Sequence, residues 1–311
     1  MKTLVRRIIM LVLLIIVLIR PTIPGSSSNR ESTNLNIWFV VDASGSMVAK
    51  DVEGNAMRRF EKVQEDVSKI VERIPGARYS AIVQDYSTYT AVPITSSADS
   101  IIAALPYFNP KYSFYSQPSN LSELLSYTSD RIFKYKGRFP ERNNVVIFMS
   151  DGEDVSGEQL SAPDSLANLS DYVAVLGYGT TYGTPMEEVG GYDENGKYSY
   201  TRIGSTYITF YGSDVNVNTD SKNRVLTKIN EDNLKTIASQ TGGEYYHRES
   251  DSVPDALINK INSTAKIVHN DSSSSVSSGF ELYWIFALAL LALLAWEGEE
   301  LLTRILEERS K

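Results

Sequence analysis

The central part of the chain alternates unbroken apolar runs with segments in which apolar residues recur at helical spacing. Residues 35–41, 144–149 and 172–176 are apolar almost throughout, which predicts strands buried on both faces of a sheet. Between residues 58 and 74, apolar residues recur every three or four positions before Pro75 and Gly76. This spacing predicts an amphipathic helix that ends at the proline.

The remaining elements continue this alternation. Two short strands with a turn between them, at 79–86 and 89–94, predict a hairpin and therefore one antiparallel edge strand. The other predicted elements are helices at 98–105, 121–133, 164–169, 233–240 and 254–267, a strand at 244–247, and a small hairpin of 198–203 with 206–211 inside a polar stretch. Together they predict an α/β fold with a doubly wound, mostly parallel six-stranded sheet in the order 3-2-1-4-5-6 and helices on both faces.

Both ends of the chain are apolar. Residues 1–24 are interpreted as an N-terminal transmembrane anchor, because no clean cleavage site follows the apolar run 8–19. A cleaved signal segment is the alternative, since that run is shorter than a membrane span usually is. Residues 279–296 predict a C-terminal transmembrane helix with Trp284 and Trp296 as interfacial aromatics. The boundaries are then a linker at 25–33, a folded domain at 34–268, a Ser-rich linker at 269–278 and a tail at 297–311.

Charge and composition refine this picture. Basic residues precede the first apolar run, which favours a cytoplasmic N-terminus. With two spans, the C-terminal tail is then cytoplasmic too. The chain would be a two-pass protein of the cell membrane whose folded domain is extracytoplasmic. The net charge of −8 argues against a nucleic-acid partner, because no basic face is present to neutralise phosphates. The absence of cysteine excludes disulfides, thiolate metal sites and cysteine nucleophiles.

Polar residues with chemistry lie directly after the predicted strands. Asp42-Ala43-Ser44-Gly45-Ser46 follows the first strand, Asp151 follows the fourth, and Ser119 precedes a helix. Carboxylate and hydroxyl oxygens are hard ligands, which suit Mg²⁺ or Mn²⁺ better than Zn²⁺. In the predicted strand order, Asp42 and Asp151 meet where the order of the strands reverses, and ligands bind there in this class of fold.

These residues resemble the metal-ion-dependent adhesion site (MIDAS) of the von Willebrand factor A (vWA) domain family, whose motif is D-x-S-x-S followed by a threonine and an aspartate from two further loops. Ser119 stands in place of the threonine and keeps its hydroxyl. The resemblance implies that Asp42, Ser44, Ser46, Ser119 and Asp151 bind the metal, with Ser116 as a rival to Ser119. It also implies that a partner protein supplies an acidic residue to the metal.

A narrower resemblance concerns bacterial membrane-anchored vWA proteins of the Bat type. It is carried by Asp151-Gly-Glu-Asp154, Leu176-Gly-Tyr-Gly-Thr180, Gly183-Thr-Pro-Met186, residues 233–238 and Gly242-Gly-Glu-Tyr-Tyr-His247. The resemblance implies an accessory or scaffold role in envelope protein assembly or stress tolerance, with a MoxR-type AAA+ ATPase and other vWA membrane proteins as partners. No Walker motif occurs in the chain, so such an ATPase would be a separate polypeptide.

Other interpretations follow from the same residues. A cell-surface adhesin that binds extracellular matrix or host protein is the alternative function, and a metal-dependent hydrolase is a minor one; we expect no enzyme, since neither histidine has a nucleophile setting. Glu153 and Asp154 are expected to be solvated loop acids. The tyrosines of the loops are interpreted either as a recognition rim near the metal or as loop packing: Tyr107, Tyr112, Tyr115, Tyr178, Tyr182 and Tyr192.

Overall fold

The computed structural model describes residues 2–19, 22–23, 32–85, 87–110, 119–192, 198–202, 222, 224–249, 252–265, 267–268, 280–281 and 283–309. The chain forms two compact units. One comprises residues 31–269, and the other combines residues 1–30 with 270–311. The larger unit contains the sheet and its helices, and it carries all the candidate metal ligands.

The secondary structure of the larger unit follows the predicted alternation. Its strands are β1 Leu35–Asp42, β2 Arg78–Gln84, β3 Thr88–Thr95, β4 Asn143–Ser150, β5 Tyr172–Gly177, β6 Glu187–Tyr192, β7 Tyr198–Arg202 and β8 Glu244–His247. Among the residues that the structure describes, the α-helices are α1 Lys2–Ile19, α2 Arg59–Arg73, α3 Ala98–Ala104, α4 Leu121–Lys136, α5 Asp164–Leu169, α6 Glu231–Thr241, α7 Asp255–Thr264 and α8 Tyr283–Arg309. Short 3₁₀ helices lie at Gly45–Val48 and Leu105–Tyr107. Two-residue ladders join Ser32–Thr33 to Ile267–Val268, Thr184–Pro185 to Leu226–Thr227, and Thr22–Ile23 to Phe280–Glu281.

Six strands form the main sheet in the order β3-β2-β1-β4-β5-β8. All neighbours are parallel except β3, which pairs antiparallel with β2. The predicted α/β sheet with its antiparallel edge is therefore confirmed, and its sixth strand is β8 because the hairpin β6–β7 intervenes along the chain.

The sheet is covered on both faces. Alternate residues of β1 point to opposite sides: Ile37 and Phe39 join a core with α2, α3 and α7, whereas Trp38 and Val40 join a core with α4, α5 and α6. All four side chains are buried. Burial on both faces explains why the strand reads as a continuous apolar run rather than as an alternation.

Two predicted elements differ from the structure. Tyr198–Arg202 does form a hairpin strand, but its partner is Glu187–Tyr192, and residues 206–211 lie outside the described residues. The polar and glycine-rich sequence of β6 has no apolar alternation, which is why the sequence did not reveal it. The last helix ends at Thr264 rather than at residue 267, because Ile267–Val268 pairs with Ser32–Thr33 instead.

The terminal segments are helical, but the prediction that they are transmembrane helices is not supported. Within the parts of the chain that the structure describes, no helix combines the length and the apolar character needed to cross a membrane. Helix α1 has 18 residues, and the basic residues Lys2, Arg6 and Arg7 lie among them. In α8, three glutamates at positions 297, 299 and 300 follow directly on the apolar stretch.

Candidate metal centre

The register of the sheet brings Asp42 and Asp151 to the same edge. Val41 of β1 lies opposite Met149 of β4 in a parallel pair, so Asp42 is level with Ser150 and one residue short of Asp151. Strand β1 lies between β2 and β4, and the order of the strands reverses at this position. Both carboxylates therefore lie at the switch point where ligands bind in doubly wound sheets.

The loop after β1 is folded by its own side chains. Asp42 Oδ1 accepts a hydrogen bond from the Ser44 backbone N–H at 2.9 Å, a turn in which aspartate binds the amide two residues on. The hydroxyls of Ser44 and Ser46 are 3.1 Å apart, and all three side chains are buried. The other carboxylate oxygen of Asp42 accepts the Ser150 hydroxyl at 2.7 Å. This bond joins the loop after β1 to the end of β4.

The loop after β4 repeats the same turn. Asp151 Oδ1 accepts the Glu153 backbone N–H at 3.0 Å, and the Asp151 side chain has no exposed surface. Gly152 has a φ of +76° and its α-carbon faces the Asn230 carbonyl and the Leu234 side chain so closely that no Cβ would fit. Only glycine allows this conformation and this contact. The start of α6 can therefore pack directly on the loop that carries Asp151.

The loop before α4 contributes the third part of the site. The Ser119 carbonyl accepts the Val155 backbone N–H at 3.1 Å, and Asp154 Oδ2 accepts the Leu121 N–H at 2.9 Å, so this loop is attached to the loop after β4. The Ser119 side chain is 6% exposed. Among the residues that the structure describes, none makes a hydrogen bond to its hydroxyl. Ser116 lies outside the described residues.

The electrostatics of this edge are dominated by buried carboxylates. Burial, and next the charge of Asp151, raise the pKa of Asp42 from 3.8 to about 7. The same two causes raise the pKa of Glu153 from 4.5 to about 7. A divalent cation between these groups would lower the cost of keeping them ionised.

Glu153 and Asp154 are not the solvated loop acids that the sequence suggested. Glu153 Oε2 accepts the Thr227 hydroxyl at 2.6 Å and Oε1 accepts the Lys228 N–H at 3.1 Å. Asp154 Oδ1 binds both the backbone and the hydroxyl of Ser156 in addition to its contact with Leu121. Both acids are partly buried and fix neighbouring loops. Their partners come from distant parts of the chain, so the local sequence gives no sign of them.

A buried arginine at the site was missed altogether. Arg59 Nη1 donates to Asp151 Oδ2 at 2.7 Å, and Nε and Nη2 donate to the two carboxylate oxygens of Asp51 at 2.9 and 2.6 Å. The one available signal was its spacing. Arg59, Lys62 and Asp66 recur at helical intervals, which places all three on one side of α2. All three are buried.

The tyrosines of the loops differ in their exposure. Tyr178 is fully buried and its hydroxyl donates to Asp66 Oδ2 at 3.0 Å, so it is a packing residue. Tyr107 and Tyr182 are exposed. Tyr112 and Tyr115 lie outside the described residues, and the side chain of Tyr192 is not described.

The donors present fit a hard divalent cation. Asp42, Ser44, Ser46, Ser119 and Asp151 offer only oxygen ligands, as Mg²⁺ and Mn²⁺ prefer. The Ser119 hydroxyl, buried without a hydrogen bond from the described residues, is available for such an ion. Over the same residues, no group of three or more His, Cys, Asp and Glu side chains could hold a metal. A metal here would therefore depend on the serine hydroxyls as well as the two carboxylates.

Comparisons with known proteins agree with this fold. Residues 37–153 match the family described as the von Willebrand factor type A domain. None of the curated proteins matches the sequence.

Several solved structures are similar. The conserved hypothetical protein BatB from Bacteroides thetaiotaomicron has 25% identity and a TM-score of 0.53, with 74% of this chain and 97% of that chain covered. An aerotolerance-related membrane protein from Bacteroides fragilis has 24% identity and a TM-score of 0.49, with 74% and 96% covered. The matched family segment begins within β1 and ends in the loop after β4, and it includes every candidate ligand. The larger unit of this chain therefore contains a von Willebrand factor type A domain segment, and its fold is similar to that of BatB.

Proposed function

We propose that the vWA domain binds a partner protein through Mg²⁺ or Mn²⁺. Asp42, Ser44, Ser46, Ser119 and Asp151 hold the cation, and an acidic residue of the partner completes its coordination. The observation that carries this proposal is the meeting of two fully buried carboxylates at the switch point of the sheet. The buried Ser119 hydroxyl, which has no hydrogen bond among the described residues, adds to it. The role is binding rather than catalysis.

Charge supports a cation at this position. Asp42, Asp51 and Asp151 are all buried, and Arg59 is the one cation among the described residues that forms an ion pair with any of them. When the three carboxylates are ionised, this group has two negative charges in excess. Buried charge without a partner is costly, and a divalent ion supplies the missing positive charge.

The test is a calorimetric titration of MgCl₂ and MnCl₂ into the full chain and into its Asp42→Ala variant. We expect binding by the wild type and none by the variant, because the variant lacks one of the two carboxylates. Asp130→Ala is the control, since Asp130 is an exposed acid on α4 and should leave the titration unchanged. Equal heats from wild type and Asp42→Ala would contradict the proposal.

The partner is proposed to be an envelope protein, and the vWA protein to act as an accessory or scaffold together with a MoxR-type AAA+ ATPase on a separate chain. The resemblance to Bat-type proteins supports this assignment. Affinity capture from membranes in the presence of Mg²⁺, followed by elution with EDTA, tests it. We expect the wild type, and not Asp42→Ala, to retain partners that EDTA releases. A set of captured proteins that is identical for both would count against a metal-mediated partner.

Association with a membrane is proposed for the terminal unit. Large apolar side chains are exposed along both of its helices, and exposed apolar patches of this kind mark interaction surfaces. They include Ile8, Leu11 and Leu18 of α1 and Leu288, Leu291 and Leu294 of α8. Replacing Leu11 and Leu288 with glutamate should release the full chain from the membrane fraction, whereas alanine at both positions should not. Retention of the glutamate variant would exclude this surface.

A further inference from the structure

Arg59 is an unusual residue to find beside a cation site. Its side chain has no exposed surface, and its guanidinium donates to both oxygens of Asp51 and to Asp151 Oδ2. It also donates to the Thr227 hydroxyl at 3.0 Å and to the Ser46 carbonyl at 3.4 Å. A positive side chain is therefore bonded to one candidate metal ligand and to the backbone of another.

The surroundings keep this charge in place. Gly179 has a φ of +111°, and its α-carbon lies so close to the Arg59 guanidinium that a Cβ would overlap it. The Thr180 backbone N–H and hydroxyl, each at 3.1 Å, hold the Asp51 carboxylate that faces the guanidinium. A side chain enclosed in this way cannot leave when a cation binds, so both charges would be present together.

We propose that Arg59 is the internal counter-ion of the metal site. It neutralises Asp151 when no metal is bound, so that the domain folds without a cation, and it weakens metal binding because its charge repels the ion. This inference rests on the proposed function, since it describes how the affinity of the same site is set.

The physical reason is a competition for one carboxylate. Without Arg59, Asp151 and Asp51 would be buried without a counter-ion, which is strongly unfavourable. A divalent ion would then supply all of the compensating charge, and its binding would stabilise the folded state more than it does in the wild type. Folding would become dependent on the metal.

The Arg248 pair provides a matched control. Arg248 donates to both oxygens of Asp66 at 2.8 and 3.0 Å, and both side chains are buried. Asp66 is not a candidate ligand. Replacement of Arg248 should therefore destabilise the domain to a similar degree without changing its response to metal.

The experiment is thermal unfolding of the full chain in detergent, with EDTA, MgCl₂ or MnCl₂, for the wild type, Arg59→Gln and Arg248→Gln. Calorimetry gives the Kd for each metal. We expect both variants to have a lower Tm in EDTA. Only Arg59→Gln should show a larger metal-induced rise in Tm than the wild type, together with a Kd about tenfold tighter, from the loss of one repelling charge. If Arg59→Gln is unfolded in EDTA and the addition of Mn²⁺ is enough to restore folding, this result would also support the proposal.

Three other results are informative. If the metal-induced rise in Tm of Arg59→Gln is no larger than that of the wild type, the inference is overturned while the proposed metal site still stands. If neither the wild type nor any variant shows metal binding or a metal-induced change in Tm, the proposed function fails and the inference fails with it. If Arg59→Gln does not fold under any condition, Arg59→Lys decides the question. This variant keeps the charge and should bind metal as the wild type does, so tighter binding would contradict the proposal.

Discussion

Two buried arginine–aspartate clusters lie among the described residues of the vWA domain, and they differ in how completely their charges are matched. In the Arg248 cluster, formed by Arg248, Asp66 and Tyr178, one guanidinium faces one carboxylate through two hydrogen bonds, and the tyrosine hydroxyl adds a third. In the Arg59 cluster, formed by Arg59, Asp51, Asp151 and Thr227, one guanidinium is shared between two carboxylates.

The difference shows which of the two suits a ligand. In the Arg248 cluster the Asp66 carboxylate faces Arg248 and also lies 3.9 Å from Lys62 Nζ, so its negative charge is fully matched. The cluster links α2 to the end of β8 and to the residue after β5. The Arg59 cluster adjoins Asp42, which is also buried and has no arginine or lysine ion pair among the described residues. A buried group with excess negative charge favours a cation, whereas a balanced one needs no further positive charge. The same residue types thus form a group that suits a cation in one place and a charge-matched group in the other.

The largest expected effect comes from breaking the balanced cluster. Asp66→Ala leaves Arg248 buried without its carboxylate, which should lower the free energy of unfolding by about 3–5 kcal/mol. Urea unfolding in EDTA and in Mg²⁺ measures it, and the loss should be the same in both. A loss that Mg²⁺ reverses would show that the two clusters are not independent.

A smaller effect is expected at the hydroxyl that joins the two metal loops. Ser150→Ala removes the donor to Asp42 Oδ2 and the acceptor of the Gly152 N–H, which should cost roughly 1–3 kcal/mol in EDTA. Mg²⁺ should recover part of this loss, because the ion stabilises the same carboxylate. Ser80→Ala is the control, since the buried Ser80 hydroxyl donates to the Val92 carbonyl far from these loops. Equal losses with and without Mg²⁺ would contradict a cation at Asp42.

The pH dependence of stability tests the other carboxylate of the Arg59 cluster. Burial alone would raise the pKa of Asp51, but the hydrogen bonds and charge of Arg59 hold the pKa below its ordinary value of 3.8. Asp51 therefore contributes stability that is fully present above pH 3.8 and is lost as the pH falls through the lower folded-state pKa.

Urea midpoints of the wild type and Asp51→Asn, measured from neutral pH downward, check this sign. The difference between the two proteins should be constant above pH 3.8 and should shrink below it. A difference that grows as the pH falls would mean that Arg59 does not hold Asp51 in its ionised form.

The smallest effect on stability is expected at Ser119. Its hydroxyl has no hydrogen bond among the described residues, so Ser119→Ala should change the free energy of unfolding in EDTA by no more than about 0.5 kcal/mol. The affinity for Mg²⁺ should nevertheless fall, as calorimetry can show. Ser119→Thr, which keeps a hydroxyl, should retain that affinity. Unchanged binding by Ser119→Ala would remove this residue from the ligand set.

The sequence predicted the sheet well because burial on both faces leaves a clear pattern. Strands β1, β4 and β5 are continuous apolar runs, and the position of Asp42 and Asp151 follows from where those runs end. The parallel register then makes the two positions neighbours. Local pattern and strand order together are sufficient for this part of the candidate site.

The Arg59 cluster could not be predicted in the same way. Its members belong to a loop before α2, to α2 itself, to the loop after β4 and to the ladder near residue 227, and no local pattern connects them. An arginine near the start of a helix is usually solvated, so its sequence neighbours suggest nothing else. Only the packing of the segment that contains Gly179 and Thr180 over α2 turns Arg59 into a buried residue.

The hydrogen bond between Arg59 and Thr227 also sets an order of events during synthesis. The two residues are 168 positions apart, which corresponds to roughly ten to thirty seconds of translation at the usual rates of elongation. β1 is already made when this interval begins and β2, β4 and β5 are made during it, while the guanidinium still lacks one of its acceptors. The nascent chain can therefore assemble the middle of its sheet early, whereas the charged residues beneath the proposed metal site reach their final partners only after Thr227, about four-fifths of the way along residues 31–269, has left the ribosome.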